Sequence, residues 1–318
     1  MNFEEKVSAV APASTANLGP GFDVFGMALD LFYDKVTVEP ILKRQIEIQL
    51  MGIGADSIPT EPERNSAGLV AQKFLAHIKW PHGLRIKLEK GIIPRYGLGS
   101  SGASAAATAV ALNKLLRLHL PNIELIKLAA YGEIASAGTP HLDNVSAAIL
   151  GNFVVIGSHE PLDIIPLEPP KFLEVCIAIP RIPVPLRKTE AARKMIPETV
   201  SLRQAVQNVG RASALVAGFA LKDIDLIGRA MEDAIVEPVR ASLVPGYQTV
   251  RKKAIEAGAS GVAISGAGPS LIAIVNSKRA SSKRVAEAMV QGFQEIGVNA
   301  DGYVAKPSKG AILVGDNA

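Results

Sequence analysis

Pro94-Arg95-Tyr96-Gly97-Leu98-Gly99-Ser100-Ser101-Gly102-Ala103-Ser104 lies between two stretches of different character. Before it, Leu84-Arg85-Ile86-Lys87-Leu88 alternates apolar and charged residues, the period of a half-buried strand. After Gly99, Ser100 to Leu116 is rich in small residues and helix formers with almost no polar face, which predicts a helix through the middle of a domain. A strand, a glycine-serine turn and a buried helix in that order make an anion site. Glycine lets the backbone approach an anion because no Cβ intervenes. The helix start adds unpaired N–H groups and a partial positive charge. Ser100, Ser101 and Ser104 supply hydroxyl donors, and a serine oxygen can ligate Mg²⁺ bound to phosphates.

Two familiar phosphate loops fit poorly. Gly97 to Gly102 formally matches the dinucleotide pattern G-x-G-x-x-G, but the only acid near the required distance, Glu124, falls inside a predicted helix. No Gly-Lys-Ser/Thr follows, so the run is not a Walker loop either. A plain strand-to-helix turn accounts for the hexapeptide alone and poorly for the whole run.

The rest of the chain sets the frame. Its 318 residues exceed one typical domain. The cluster Pro161, Pro166, Pro169 and Pro170 marks a boundary, giving expected domains at 1–165 and 166–318. Hydrophobic residues make up 48% and aromatics 5%, which suits an aliphatic core of helices and strands better than an all-β sandwich. A net charge of +4 with scattered Lys and Arg gives no nucleic-acid footprint, yet suits anionic ligands. The single cysteine, Cys176, rules out an intramolecular disulfide and a cysteine-based metal site, and its apolar neighbours make it a buried small hydrophobe. No run of eighteen apolar residues exists, and Met1 to Lys6 lacks a basic region followed by an apolar stretch, so a cytoplasmic protein without membrane or nucleic-acid partners is expected. A homodimer stays open as its assembly. Only the tail Gly315 to Ala318 reads as disordered.

Further strands are predicted at 35–39, 45–50, 152–156, 174–179, 262–265 and 271–275, with short ones around Tyr303 and Ile312. Helices are predicted from Asn122, as N-cap, to near Gly138, and over 188–195, 201–221, 223–234, 247–257 and the stripe Val285, Met289, Phe293, Ile296. The second half thus has a β-α-β-β-α-β order, the ferredoxin-like arrangement.

The run Pro94 to Ser104 resembles the ATP-binding signature of the GHMP kinases, the family of galactokinase, homoserine kinase, mevalonate kinase and phosphomevalonate kinase. Two further segments fit that family in order and spacing: Ala11 to Asp23, ending Asn-Leu-Gly-Pro-Gly-Phe-Asp, and Ser265-Gly266-Ala267-Gly268-Pro269-Ser270. The resemblance implies an α+β, two-domain GHMP kinase fold. Its N-terminal domain would carry a left-handed β-α-β unit around the glycine loop, and its ferredoxin-like C-terminal domain would close the cleft. It implies ATP on Pro94 to Ser104, and Mg²⁺ held by Ser101 and Glu133.

Within the family, Asn17 to Asp23 is similar to the members that phosphorylate L-homoserine to O-phospho-L-homoserine in threonine biosynthesis. Gly138 to Val145, Thr189 to Arg193 and Glu237 to Tyr247 are similar to those members as well. On that resemblance Asp23 and Asn17 accept from the substrate ammonium. Arg193 and Arg240 grip its carboxylate, Thr189 joins the substrate-binding set, and His141 and Asn144 position the hydroxyl end. Mevalonate kinase and galactokinase place an aspartate where this chain has Asn144, which cannot act as a base. Asp143 next to it is expected to face another way. Transfer without a side-chain base follows, with Asn144, Ser101 and Glu133 as the catalytic set. Taken singly, each residue has a plainer reading: Arg193 and Arg240 as solvated charges, His141 as a packing residue, Glu133 as a surface charge. Only the joint match favours function. The alternatives are a family member acting on mevalonate or shikimate and a ligand sensor without activity.

Overall fold

The alternating stretches form strands, and in longer runs than alternation marks. The computed structural model describes residues 6–78, 80–186 and 188–315; residues 1–5 and the tail 316–318 lie outside the described residues. β1 (Val7–Asn17) and β2 (Gly21–Ile41) make a long hairpin. Its buried small residues, Ala9, Ala11 and Ala13, blur the period-two signal. β3 (Ile46–Gly52) and β4 (Gly83–Lys90) pair in parallel and are joined through α1 (Ser66–Ile78), a β-α-β unit that delivers β4 into the glycine loop.

Beyond the loop come α2 (Ser100–Leu115), α3 (Asn122–Ala130), α4 (Ile134–Ala137) and α5 (Asp143–Leu150), followed by β5 (Phe153–His159) and β6 (Leu162–Leu167). α2 is buried on nearly every side, as its composition requires. The helix expected from Asn122 to Gly138 is instead broken after Ala130 by a 3₁₀ turn at Tyr131–Glu133, and Pro121, not Asn122, holds the N-cap position.

The second half holds β7 (Leu173–Pro180), α6 (Lys188–Lys194), α7 (Leu202–Leu221), α8 (Ile224–Ala230), α9 (Glu237–Arg240), α10 (Tyr247–Glu256), β8 (Gly261–Ile264), β9 (Leu271–Asn276), α11 (Ser282–Gln294), β10 (Ala300–Ala305) and β11 (Ile312–Val314). α7 starts on a capping box from Ser201 and Gln204. The helix expected over 223–234 stops at Ala230, because the Asp233 carboxylate accepts from the N–H groups of Ile235, Val236 and Glu237 (2.9, 2.9 and 2.6 Å) and turns the chain into α9.

Two sheets result. The first runs β11-β1-β2-β4-β3, with β5 added on β2 and β6 on β5. The second runs β10-β7-β9-β8 with every pair antiparallel, the ferredoxin-like order. β7 is buried on both faces: Val175, Ile177 and Ile179 join the larger core with Leu215 and Phe219 of α7, while Cys176 and Ala178 pack under α10 and α11. Burial pushes the Cys176 thiol up to about 12, and the thiol donates to the Ser282 carbonyl. The ring of Phe219 stacks on Phe153 of β5 at 3.9 Å, joining the halves through one core. Among the described residues no helix is long and apolar enough to cross a membrane.

Candidate active site

Three backbone turns meet where the halves touch. The glycine loop accepts from the N–H of Ser14 at the Leu98 carbonyl (3.1 Å) and from that of Ser270 at the Tyr96 carbonyl (3.3 Å). The Gly266 N–H donates to the Ala16 carbonyl (3.2 Å), and the Ser265 hydroxyl donates to the Gly97 carbonyl (2.6 Å). Gly97 and Gly99 are in the left-handed region, with φ of 81° and 65°. A Cβ on Gly97 would stand 2.1 Å from the Ser265 carbonyl oxygen, and one on Gly99 2.0 Å from Ser14 Oγ. Only glycine fits at either place. Gly99 is also the N-cap of α2 and offers no side-chain cap, so the first turn of α2 is open to an anion.

A buried polar cluster holds this loop. Lys90 donates to the Asp34 carboxylate, to Ser104 Oγ (2.8 Å) and to the Ser100 carbonyl (3.1 Å). The other Asp34 oxygen accepts from the N–H groups of Gly91 and Ile92 (both 3.1 Å). The cluster corrects two expectations. The Ser104 hydroxyl donates to Asp34 (2.7 Å) and the Ser100 hydroxyl to the Ile92 carbonyl (3.0 Å), so both brace the loop from beneath and do not present donors to a ligand. Ala103 and Leu98 are buried as well. Arg95 reaches back to Ser57 Oγ (2.9 Å), Pro94 packs on Gly54, and the Tyr96 hydroxyl donates to the Ile182 carbonyl (2.8 Å) across the two halves.

Ser101 stands apart from its neighbours. Its hydroxyl hydrogen-bonds to Glu133, which the 3₁₀ turn after α3 buries. Burial pushes the Glu133 carboxyl up to about 7, against the pull of Ser101 and of His141. A desolvated carboxylate beside a hydroxyl at a helix start is a hard-oxygen pair that fits a divalent cation sharing its shell with phosphates and water.

A second polar cluster is built on the β1–β2 turn. Asn17 and Asp23 are left-handed, with φ of 73° and 58°. Asn17 Nδ2 donates to the Gly266 carbonyl (2.9 Å) and its Oδ1 accepts from the Asp23 N–H (3.3 Å). The Arg193 guanidinium clasps the Asp23 carboxylate with both nitrogens (2.5 and 3.3 Å) and lies within 3.2 Å of the His141 ring nitrogens. His141 also stands 3.5 Å from Asp23 and 3.2 Å from Thr139 Oγ1. Burial by itself would raise the Asp23 carboxyl; His141 and Arg193 outweigh it and hold the group below its usual range. Arg193 is therefore engaged by the protein's own carboxylate and is not an open fork.

Arg240 differs. Burial lowers its pKa, it donates to the Gly266 carbonyl (3.2 Å), and its Nε is buried with no partner. The Phe22 ring lies within 5.4 Å of the Arg193 guanidinium and 4.9 Å of the Arg240 guanidinium. Thr189 sits one helical turn before Arg193 on α6.

Asn144 lies at the mouth of α2. A Cβ on Gly99 would stand 2.9 Å from its Oδ1, which accepts from Ser14 Oγ (2.9 Å). Asp143 does not face another way. Its carboxylate folds back onto Asn144, accepting from the backbone N–H (2.7 Å) and from Nδ2 (3.3 Å), and burial raises its pKa. Adjacent side chains converge here because Asp143, in the first turn of α5, turns its carboxylate onto the N–H of the next residue.

The chain belongs to the GHMP kinases: the family's N-terminal domain matches residues 65–152 and its C-terminal domain residues 214–295. Among its relatives are homoserine kinases. That of Methanococcus vannielii is 43% identical over 85% of this chain and 88% of its own, and that of Halorubrum lacusprofundi 40% identical over 97% and 99%. The crystal structure of homoserine kinase from Cytophaga hutchinsonii superposes with a TM-score of 0.91 at 35% identity, covering 99% of both chains.

Proposed function

We infer that the protein transfers the terminal phosphoryl group of ATP to the hydroxyl of L-homoserine, giving O-phospho-L-homoserine, in the cytoplasm. The observation that carries the acceptor is the Asp23–Arg193 pair, with Arg240 and Arg193 both against the Phe22 ring. A zwitterion can replace that internal pair without changing the charge of the site, its ammonium taking Asp23 and its carboxylate the arginines. The homoserine activity of the relatives supports the same reading. We read 1–165 as the half that binds ATP and 166–318 as the half that closes the cleft.

The chain's own groups divide the work. The open first turn of α2 and the backbone of Gly97 to Ser101 cradle the phosphates. Ser101 and Glu133 hold Mg²⁺, which neutralises phosphate charge. Asn144, fixed by Ser14 and Asp143, orients the acceptor hydroxyl. No carboxylate is placed as a base: Asp143 is engaged by Asn144, and Asp23 by Arg193 and, once homoserine binds, by its ammonium. The hydroxyl proton leaves to a phosphate oxygen or to water, and alignment carries the reaction. Measuring ADP release with homoserine, mevalonate, shikimate and galactose tests the assignment. Turnover with homoserine far above the others is expected. Equal or faster turnover with mevalonate, which has no ammonium for Asp23, overturns it.

A further inference from the structure

One cation beside the glycine loop is left unused by the groups assigned to ATP, Mg²⁺ and homoserine. Lys188 opens α6, and its ammonium donates to the Gly268 carbonyl, its one hydrogen bond among the described residues. That carbonyl presses on the phosphate loop: a Cβ built on Gly97 would stand 2.9 Å from it. Two residues earlier in the same turn, the Gly266 carbonyl accepts from Arg240. Lys188 and Arg240 thus share one glycine turn, and neither forms an ion pair among the described residues. Burial, and then Arg240, bring the Lys188 ammonium down to about 7. Two adjacent cations with surplus donors define a place for an oxyanion.

The two cations are not equivalent. Arg240 is pinned by Phe22 and Gly266 at the amino-acid end. Lys188 is a point charge on a flexible stem, bound to one neutral carbonyl against Gly97. We propose that Lys188 is a catalytic residue whose ammonium leaves the Gly268 carbonyl for the terminal phosphoryl group of the bound nucleotide and stabilises that group during transfer. The proposal rests on the kinase reading of the glycine loop. In the step, the bond from the terminal phosphorus to the bridging oxygen breaks as the bond to the acceptor oxygen forms. The bridging oxygen leaves on ADP, the hydroxyl proton goes to phosphate or water, and Lys188 keeps its protons.

Calorimetric titration with Mg²⁺ and either a non-hydrolysable ATP analogue or ADP separates the possibilities. Lys188→Met should weaken the ATP analogue by about 10-fold or more and leave ADP within about 2-fold. Its kcat should fall about 100-fold with the KM for homoserine little changed, and Lys188→Arg should recover part of both losses. Equal loss for the two nucleotides, loss for neither, or an effect confined to the homoserine KM each overturns the proposal, the last by assigning Lys188 to the substrate carboxylate. If Lys188→Met fails to melt cooperatively, Lys188→Gln carries the same comparison. Absence of turnover with homoserine in the parent defeats the acceptor assignment and leaves the nucleotide comparison decisive for Lys188. A parent that binds neither nucleotide overturns both.

Discussion

Glu133, proposed above as a Mg²⁺ ligand, is held in the fold at a cost. Its carboxyl rises from an ordinary 4.5 to about 7 on burial, so the folded protein prefers it protonated. A raised carboxyl contributes fully below its unfolded value, and that contribution is lost as pH climbs through the folded value. The loss amounts to about 3 kcal/mol. Without Mg²⁺, Glu133→Gln should therefore match the parent in urea denaturation near pH 4.5 and exceed it at pH 8, while losing activity. A parent more stable than the variant at pH 8 would contradict this. Lys188 and Arg193 were the residues hardest to read from sequence. Both lie on a short helix with charged neighbours, where nothing in the pattern distinguishes a clasped guanidinium from a solvated one. Only the fold brings Asp23, 170 positions away, against Arg193. That Asn17, Asp23 and Ser101 meet could be expected because motif residues keep their spacing, and Glu133 entered only through the family resemblance, whereas the inward turn of Ser100 and Ser104 depends on the Ile92 carbonyl and on Asp34, which carry no local signal.

Among elements, the decisive one is the junction of β4 with the glycine loop. Lys90 is the last residue of β4, Asp34 lies within β2, and both are fully buried. Burial lowers the Lys90 ammonium despite Asp34 beside it. Removing one partner strands the other charge, so Lys90→Met should cost about 3–5 kcal/mol in chemical denaturation. It should also weaken ATP binding, since Ser100 and Ser104 lose their anchor. Full nucleotide affinity in a destabilised Lys90→Met protein would separate the brace from the loop. Strand and helix identities were legible wherever polar residues mark a face, as at 84–88. The β1–β2 hairpin was legible only in part. Its alanine-rich core side and its left-handed turn residues look like a motif and not like two strands. The early stop of α8 also escaped, because Asp233 captures the N–H groups of Ile235, Val236 and Glu237 through its side chain.

For the whole molecule, the two-layered order of the second half followed from its succession of strands and helices. The return of the chain to the first sheet did not, since a three-residue strand carries almost no periodicity. After β10 the chain crosses back: Pro307 bridges Leu29, Lys309 bridges Gly151, and β11 pairs with β1 along Ser8 to Val10. A chain ended at Ala305 should keep the second sheet and lose this strap, with a melting temperature lower by roughly 5–10 °C in calorimetry. An unchanged melting temperature would mean that the strap is decorative.

That strap also sets the timetable of folding. During synthesis β1 waits until β2 to β10 have been made before its edge partner β11 appears. Until then one margin of the first sheet is an unpaired ladder of N–H and C=O groups, the kind of surface that recruits strands from other nascent chains. The sheet that carries the glycine loop is thus sealed by residues made after the ferredoxin-like half, which makes completion of the first sheet a late event of biogenesis.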